Sequence, residues 1–135
     1  MDLSVWFPGK KKVDVMVGSY IIRTDQAPAH GGDGSAPEPF DLFLASIGAC
    51  AGVYVLAFCE SRGIPTDGIR IEESAEFNRG TLSGVALDII VPPTFPAKYV
   101  QALQVAAGSC AVKRAFEAHP QIKLRTVQTS SEVRA

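Results

Sequence analysis

The sequence predicts an α+β domain built around one long apolar helix. Three observations predict it: two short alternating runs before residue 25, an apolar stretch from Phe40 to Cys59, and two strands, two helices and a strand behind it. Strands and helices come in groups and not as alternating βαβ units, so the sheets are expected to be antiparallel. At 135 residues, 47% hydrophobic and 20% charged, the chain matches one domain over 1–135 with enough apolar mass for its own core.

Each element follows from local chemistry. Over 11–25, Val13, Val15 and Val17 alternate around Asp14, Gly18-Ser19 marks a turn, and Tyr20-Ile21-Ile22 resumes the β pattern, which predicts a hairpin. The stretch 26–37, "QAPAHGGDGSAP", is too rich in Gly and Pro for a regular element and reads as a long loop of the functional kind. Pro39 at a first helical position, Asp41 in the first turn and Arg62-Gly63 at the end bound a helix of about 23 residues. It is apolar nearly all round, so its own sheet or a partner chain must enclose it. Gly48 and Gly52 each weaken it by about 1 kcal/mol against alanine, which close packing has to offset. A strand pair with a turn at Asn78-Arg79-Gly80 ends at Pro92-Pro93; helical spacing at Val100, Leu103 and Ala107 breaks at Gly108; a short helix starts at Ser109 or Cys110 and stops near Pro120. The segment 121–133, "QIKLRTVQTSSEV", reads as a last strand.

Composition excludes several classes. Thirteen Lys plus Arg stand against fourteen Asp plus Glu, so no net field steers the chain to nucleic acid or an anionic membrane. The run Gly9-Lys10-Lys11-Lys12 reads as a solvated turn. No window approaches the ~18 apolar residues that span a bilayer, and Met1-Asp2-Leu3 does not open a leader with a cleavage site. The expectation is a soluble cytoplasmic protein without a membrane partner. His30 and His119 stand far from the cysteines and from each other, so no metal site is expected, and no other cofactor is called for.

Three cysteines, at 50, 59 and 110, form no CxxC pair and no even-numbered disulfide framework. On one helix Cys50 and Cys59 point to opposite faces roughly 13 Å apart along the axis, too far for a bridge. A partner for Cys50 within the chain, if it has one, is Cys110. Cys110 stands at a helix start with Lys113 and Arg114 in the next turn, a setting that favours thiolate. Cys59, near a helix C-terminus, reads as a small hydrophobe. On composition alone Cys50 reads first as core filling, since free cysteine is among the most commonly buried residue types.

The stretch from Pro37-Glu38-Pro39-Phe40-Asp41-Leu42 to Ile47-Gly48-Ala49-Cys50, preceded by Gly31-Gly32, closely resembles the OsmC/Ohr superfamily, as does Ser109-Cys110-Ala111-Val112-Lys113 downstream. The resemblance covers nearly the whole chain. It implies an intertwined homodimer with buried central helices packed against antiparallel sheets, and reduction of organic hydroperoxides by a thiol. Cys50 then carries the peroxidatic role and Cys110 the resolving role through a Cys50-Cys110 disulfide, which a dithiol such as dihydrolipoamide reduces. One branch of the family pairs an arginine with a glutamate ten residues before the first cysteine; here that position is Phe40. Asp41, one residue later, matches the acid of the broader branch, and Arg23 is the candidate arginine. Phe40, Phe43 and Phe58 are the candidate substrate-pocket residues. The alternative is a non-enzymatic stress or apolar-ligand-binding dimer with little peroxidase activity.

Overall fold

A computed structural model describes residues 1–130. Strands β1 (Leu3–Gly9), β2 (Lys12–Val17) and β3 (Tyr20–Thr24) form an antiparallel meander, with Val15 opposite Val5 on one side and Ile22 on the other. The hairpin expected over 11–25 is β2–β3, turning at Gly18, whose φ of 59° suits glycine. β1 is an additional strand. Its alternation of Leu3, Val5 and Phe7 is a β signal interrupted by Pro8, where the ladder shifts register because proline donates no N–H.

The loop after β3 is held firmly. Asp25 is fully buried, and its carboxylate accepts from the Ser35 hydroxyl at 2.7 Å, the Ser35 amide at 3.0 Å and the Gln26 amide at 2.8 Å. Those bonds, led by the Ser35 hydroxyl, pull its pKa down to about 2. Asp33 meanwhile bridges Lys10 and Lys12 at 3.0 and 2.9 Å, tying the loop to the β1–β2 turn. Gly32 passes so close to the Gln26 carbonyl that no side chain fits there.

Helix α1 (Pro39–Ser61) has the bounds that Pro39 and Gly63 mark in the sequence. Its start is a reciprocal cap in which the Glu38 amide donates to the Asp41 carboxylate at 3.0 Å and the Glu38 side chain accepts from the Asp41 amide. Ile47, Ala51, Val55, Phe58 and Cys59, at helical spacing, are buried. From Ala51 onward these residues pack with Phe95, Leu103 and Ala107 into the core. β4 (Arg70–Asn78) and β5 (Thr81–Ile90) pair as a two-stranded antiparallel sheet; α2 (Val100–Gly108) and α3 (Ala111–Glu117) follow. The architecture is therefore α+β with antiparallel sheets. No residue of β1–β3 belongs to the core cluster.

Two expectations are corrected. Residues 121–130 form no strand: Ile122, Leu124 and Val127 are exposed, and without a neighbouring backbone an alternating pattern pairs with nothing. The remaining residues of that expected strand, 131–133, lie outside the described residues. Second, α1 is long and apolar enough by length and composition to cross a membrane, with a mean hydropathy of 2.2 over 18 residues. No charge interrupts Leu42 through Cys59, and its Gly, Ala and Ser residues are small enough to leave that stretch apolar overall. Its packing against α2, α3 and β4 is that of a core helix, although only 28% of that window is buried within the chain.

Two measurements test this packing. Leu103, 1% exposed at the centre of the core, is expected to destabilise the protein by about 2–5 kcal/mol on Leu103→Ala, read by denaturant unfolding. Asp25→Asn is expected to lower the melting temperature at neutral pH. Because the folded pKa of Asp25 lies below its ordinary value, its contribution is complete above pH 3.8 and is lost as pH falls through about 2. The variant should accordingly lose less stability than the wild type across that acid window.

Candidate functional site

α1 and α3 build the site together. Cys50 lies mid-way along α1, half-buried, on the face turned to the start of α3. Cys110 is the N-cap of α3, with extended backbone (φ −64°, ψ 150°), and is buried; its sulfur accepts from the Lys113 amide at 3.4 Å. Gly108 ends α2 and the chain turns at Ser109, which is why the sulfur and the first amides of α3 point back at α1.

The start of α3 acts on the Cys50 thiol through the Val112 and Ala111 amides, together with the Cys110 thiol and the Arg114 charge. The Val112 amide is the strongest influence holding its pKa below the ordinary thiol range; burial opposes, and the Cys110 thiol, the Ala111 amide and the Arg114 charge act in the same direction as Val112. Unpaired first-turn amides with positive partial charge are what stabilise an anion at a helix start. Arg114 is positioned by Tyr54, one turn after Cys50 on α1, whose hydroxyl lies 3.4 Å from its Nη2. The neighbourhood is thus a donor cluster around one sulfur, able to hold a thiolate with a second thiol beside it. Cys59 differs: burial pushes its thiol up, with Arg62 countering only in part.

The candidate residues fall into two sets. Cys50 and Cys110 come together, as free thiols. Phe43, two helical turns before Cys50 and on the same face, packs against Phe40 at 5.5 Å between ring centres and Phe116 at 5.9 Å, and Phe40 reaches Phe77 at 6.0 Å. Phe58 does not join them. It is buried at the far end of α1, edge-on to Tyr99 at 5.9 Å and under Arg62 at 3.7 Å, because it takes the core face of the helix. Asp41 is engaged in the α1 cap, on the helix face opposite Cys50. Arg23 is exposed on β3, opposite Asp14, in the sheet that stands apart from the core; within one chain it is not brought to Cys50.

Reading the sequence missed Arg114, Tyr54 and the amides of Val112 and Ala111. The cations and the helix start were visible, but assigned to Cys110 because it is their neighbour in sequence. Beside the site lies an apolar cavity of about 330 Å3, lined among others by Ile47, Ala51, Leu82, Val85 and Phe116. Among the described residues no group of three His, Cys, Asp or Glu side chains is gathered to hold a metal ion.

The family model described as OsmC-like protein matches residues 32–125, spanning both cysteine segments and everything between. The chain belongs to the OsmC-like protein family. Solved structures similar to this OsmC-like protein share its fold at low identity. One from Psychrobacter arcticus, described as an osmotic stress induced and detoxification response protein, is 19% identical, with TM-score 0.69 and 84% of this chain and 85% of that one covered. An OsmC like protein from Mycoplasma pneumoniae is 12% identical, with TM-score 0.70 and 87% of each chain covered. An organic hydroperoxide resistance protein OsmC from Legionella pneumophila is 19% identical, with TM-score 0.59 and 85% and 87% covered. Comparison with curated proteins finds no match.

The donor cluster around Cys50 makes a direct prediction. Alkylation of Cys50 by iodoacetamide, followed against pH, should titrate below an ordinary thiol. Arg114→Gln removes the cation, and Ala111→Pro removes one amide at a position where proline fits a helix start. Each should move the midpoint upward and slow alkylation at neutral pH.

Proposed function

We propose that this OsmC-like protein is a cysteine-based peroxidase that reduces organic hydroperoxides as a homodimer, in the cytoplasm, where thiols are kept reduced. One observation carries the reading: the start of α3, with its Val112 and Ala111 amides and the Cys110 thiol, lowers the pKa of the Cys50 thiol. Cys50 thiolate attacks the terminal peroxide oxygen, the O–O bond breaks, and the alkoxide leaves and is protonated to the alcohol; Cys50 becomes a sulfenic acid. The Cys110 thiol then attacks that sulfur, water leaves and the disulfide forms. An external dithiol of the dihydrolipoamide type exchanges with it, returning both thiols and leaving as a cyclic disulfide. Phe40 and Phe43 supply an apolar approach for the organic group. The hydroperoxide resistance description of the Legionella relative is consistent with this chemistry.

Uncovered apolar surface supports the dimer. Val53, 61% exposed, and Leu56 line the outer face of α1, while Leu3, Val5, Phe7 and Ile21 are exposed on the β1–β3 sheet. A second copy that exchanges sheets with the first would cover both and would offer Arg23 a route towards a Cys50. A second reading, a non-enzymatic dimer that binds an apolar ligand, is favoured by the cavity beside the site.

Peroxide loss with cumene hydroperoxide and dihydrolipoamide separates the two. Cys50→Ser should abolish turnover, and Cys110→Ser should consume one equivalent and stop at a sulfenic acid that dimedone traps. Equal, slow consumption by the wild type and both variants would leave only the binding reading. For the dimer, Val53→Arg places a charge on a surface that is open in one chain, so sedimentation should fall from dimer to monomer mass while the fold persists. A monomeric wild type overturns the dimer.

A further inference from the structure

α1 and α3 carry a second pair of side chains besides the two thiols. Tyr54 stands four residues after Cys50 on α1, and Arg114 four residues after Cys110 on α3. Four residues advance a helix by about 6 Å and return to nearly the same face, so each lies one turn beyond its cysteine. The Arg114 guanidinium donates from Nη2 to the Tyr54 hydroxyl at 3.4 Å. The α3 backbone fixes where that side chain starts, since the Arg114 amide donates to the Cys110 carbonyl at 3.1 Å. Arg114 is exposed and Tyr54 half-buried. The tyrosine is thus the firmer member, and it restrains a long side chain that has many rotamers open to it in solvent.

The chemistry of the holder decides how much charge stays available. Two cations stand near the start of α3, but Lys113 pairs with Glu117 at 2.9 Å, and the carboxylate offsets its charge. Among the described residues no carboxylate pairs with Arg114. A hydroxyl accepts a guanidinium N–H and leaves the positive charge intact, whereas a carboxylate would cancel it. The other elements packed on α1 add no rival charge at this point. α2 carries no titratable side chain, and the Glu73 carboxylate of β4 meets α1 at Gly48, on the face away from Cys50. Arg114 is accordingly the cation that acts on Cys50.

We propose that Tyr54 is a positioning residue for the reaction of Cys50: its hydroxyl holds the Arg114 guanidinium across the α1–α3 contact, so that a full positive charge stays with the sulfur that attacks the peroxide. The inference rests on the peroxidase reading for its reaction, but the thiolate can be followed without peroxide. Tyr54→Phe keeps the ring and removes the hydroxyl. Because the contact is longer than a tight hydrogen bond, the variant should melt close to the wild type. Iodoacetamide alkylation, read on the peptide that carries Cys50, should titrate at higher pH in Tyr54→Phe and run about two- to fivefold slower at neutral pH, the range for an exposed charge. The two proteins should converge above both midpoints, which a merely loosened fold would not produce. The difference should shrink in high salt, which screens an exposed charge. Beside Arg114→Gln the same substitution should change nothing further, because no charge is left to hold. With cumene hydroperoxide, kcat/KM should fall at neutral pH and recover as pH rises. A midpoint in Tyr54→Phe equal to that of the wild type, a difference indifferent to salt, or an effect that persists in full beside Arg114→Gln overturns the proposal. A raised midpoint in Tyr54→Phe when the wild type consumes no peroxide would sink the proposed reaction and leave the hold of Tyr54 on Arg114 standing.

Discussion

Eighteen residues without a charge, Leu42 through Cys59, set the terms for the rest of this molecule. A helix of that kind cannot face water along its whole length, so elements that follow it in the chain are placed against it. α2 and β4 take part of its surface, and α3 takes the face that carries Cys50 and Tyr54. Close approach depends on small residues. A side chain at Gly48 would come within 2.5 Å of the Glu73 carboxylate, so glycine's lost helix propensity is exchanged there for contact with β4. The outer face with Val53 and Leu56 stays open in one chain, which is the same constraint seen from outside.

That enclosure brings a difficulty for thiol chemistry, because burial alone raises a thiol pKa, as it does for Cys59 on the same helix. Cys50 escapes it by facing the start of α3, whose amides outweigh the burial. Backbone amides, with the Cys110 thiol and Arg114, lower the Cys50 pKa here. The replacement of the expected glutamate by Phe40 therefore does not by itself leave Cys50 a neutral thiol, and Phe40 is free to join the aromatic group with Phe43 and Phe77.

The sequence made much of this legible where signals were local. Pro39, Asp41 and Gly63 mark α1 because caps and breakers act within a few residues of where they stand. Gly108 and Cys110 mark the break between α2 and α3 for the same reason. The cysteine positions were legible through the family's pattern. The partners of Cys50 were not, since amides carry no residue identity and the cation that acts on it, Arg114, belongs to a helix some sixty residues later. Phe58 shows the opposite error: being aromatic and close in sequence to Cys50 says nothing about which face of α1 it occupies, and the core takes it. The alternation at Ile122 and Leu124 likewise carries no information about a pairing edge, which is why a β pattern there yields no strand within residues 121–130.

On the proposed peroxidase reading, the choice of sulfur at position 110 bears on function more than on folding. Cys110 caps α3 with a bond of 3.4 Å from the Lys113 amide, longer than the bonds a hydroxyl or carboxylate accepts. Serine, threonine, aspartate and asparagine are the side chains that stabilise helix starts, each by about 1 kcal/mol over a non-capping residue. A cysteine there forgoes part of that stability, so helix formation does not account for it. A serine in its place would cap α3 at least as well and would lack only the ability to bond to the Cys50 sulfur. Stability and turnover should consequently move in opposite directions in Cys110→Ser, and loss of activity in a variant that melts no lower than the wild type can only be chemical.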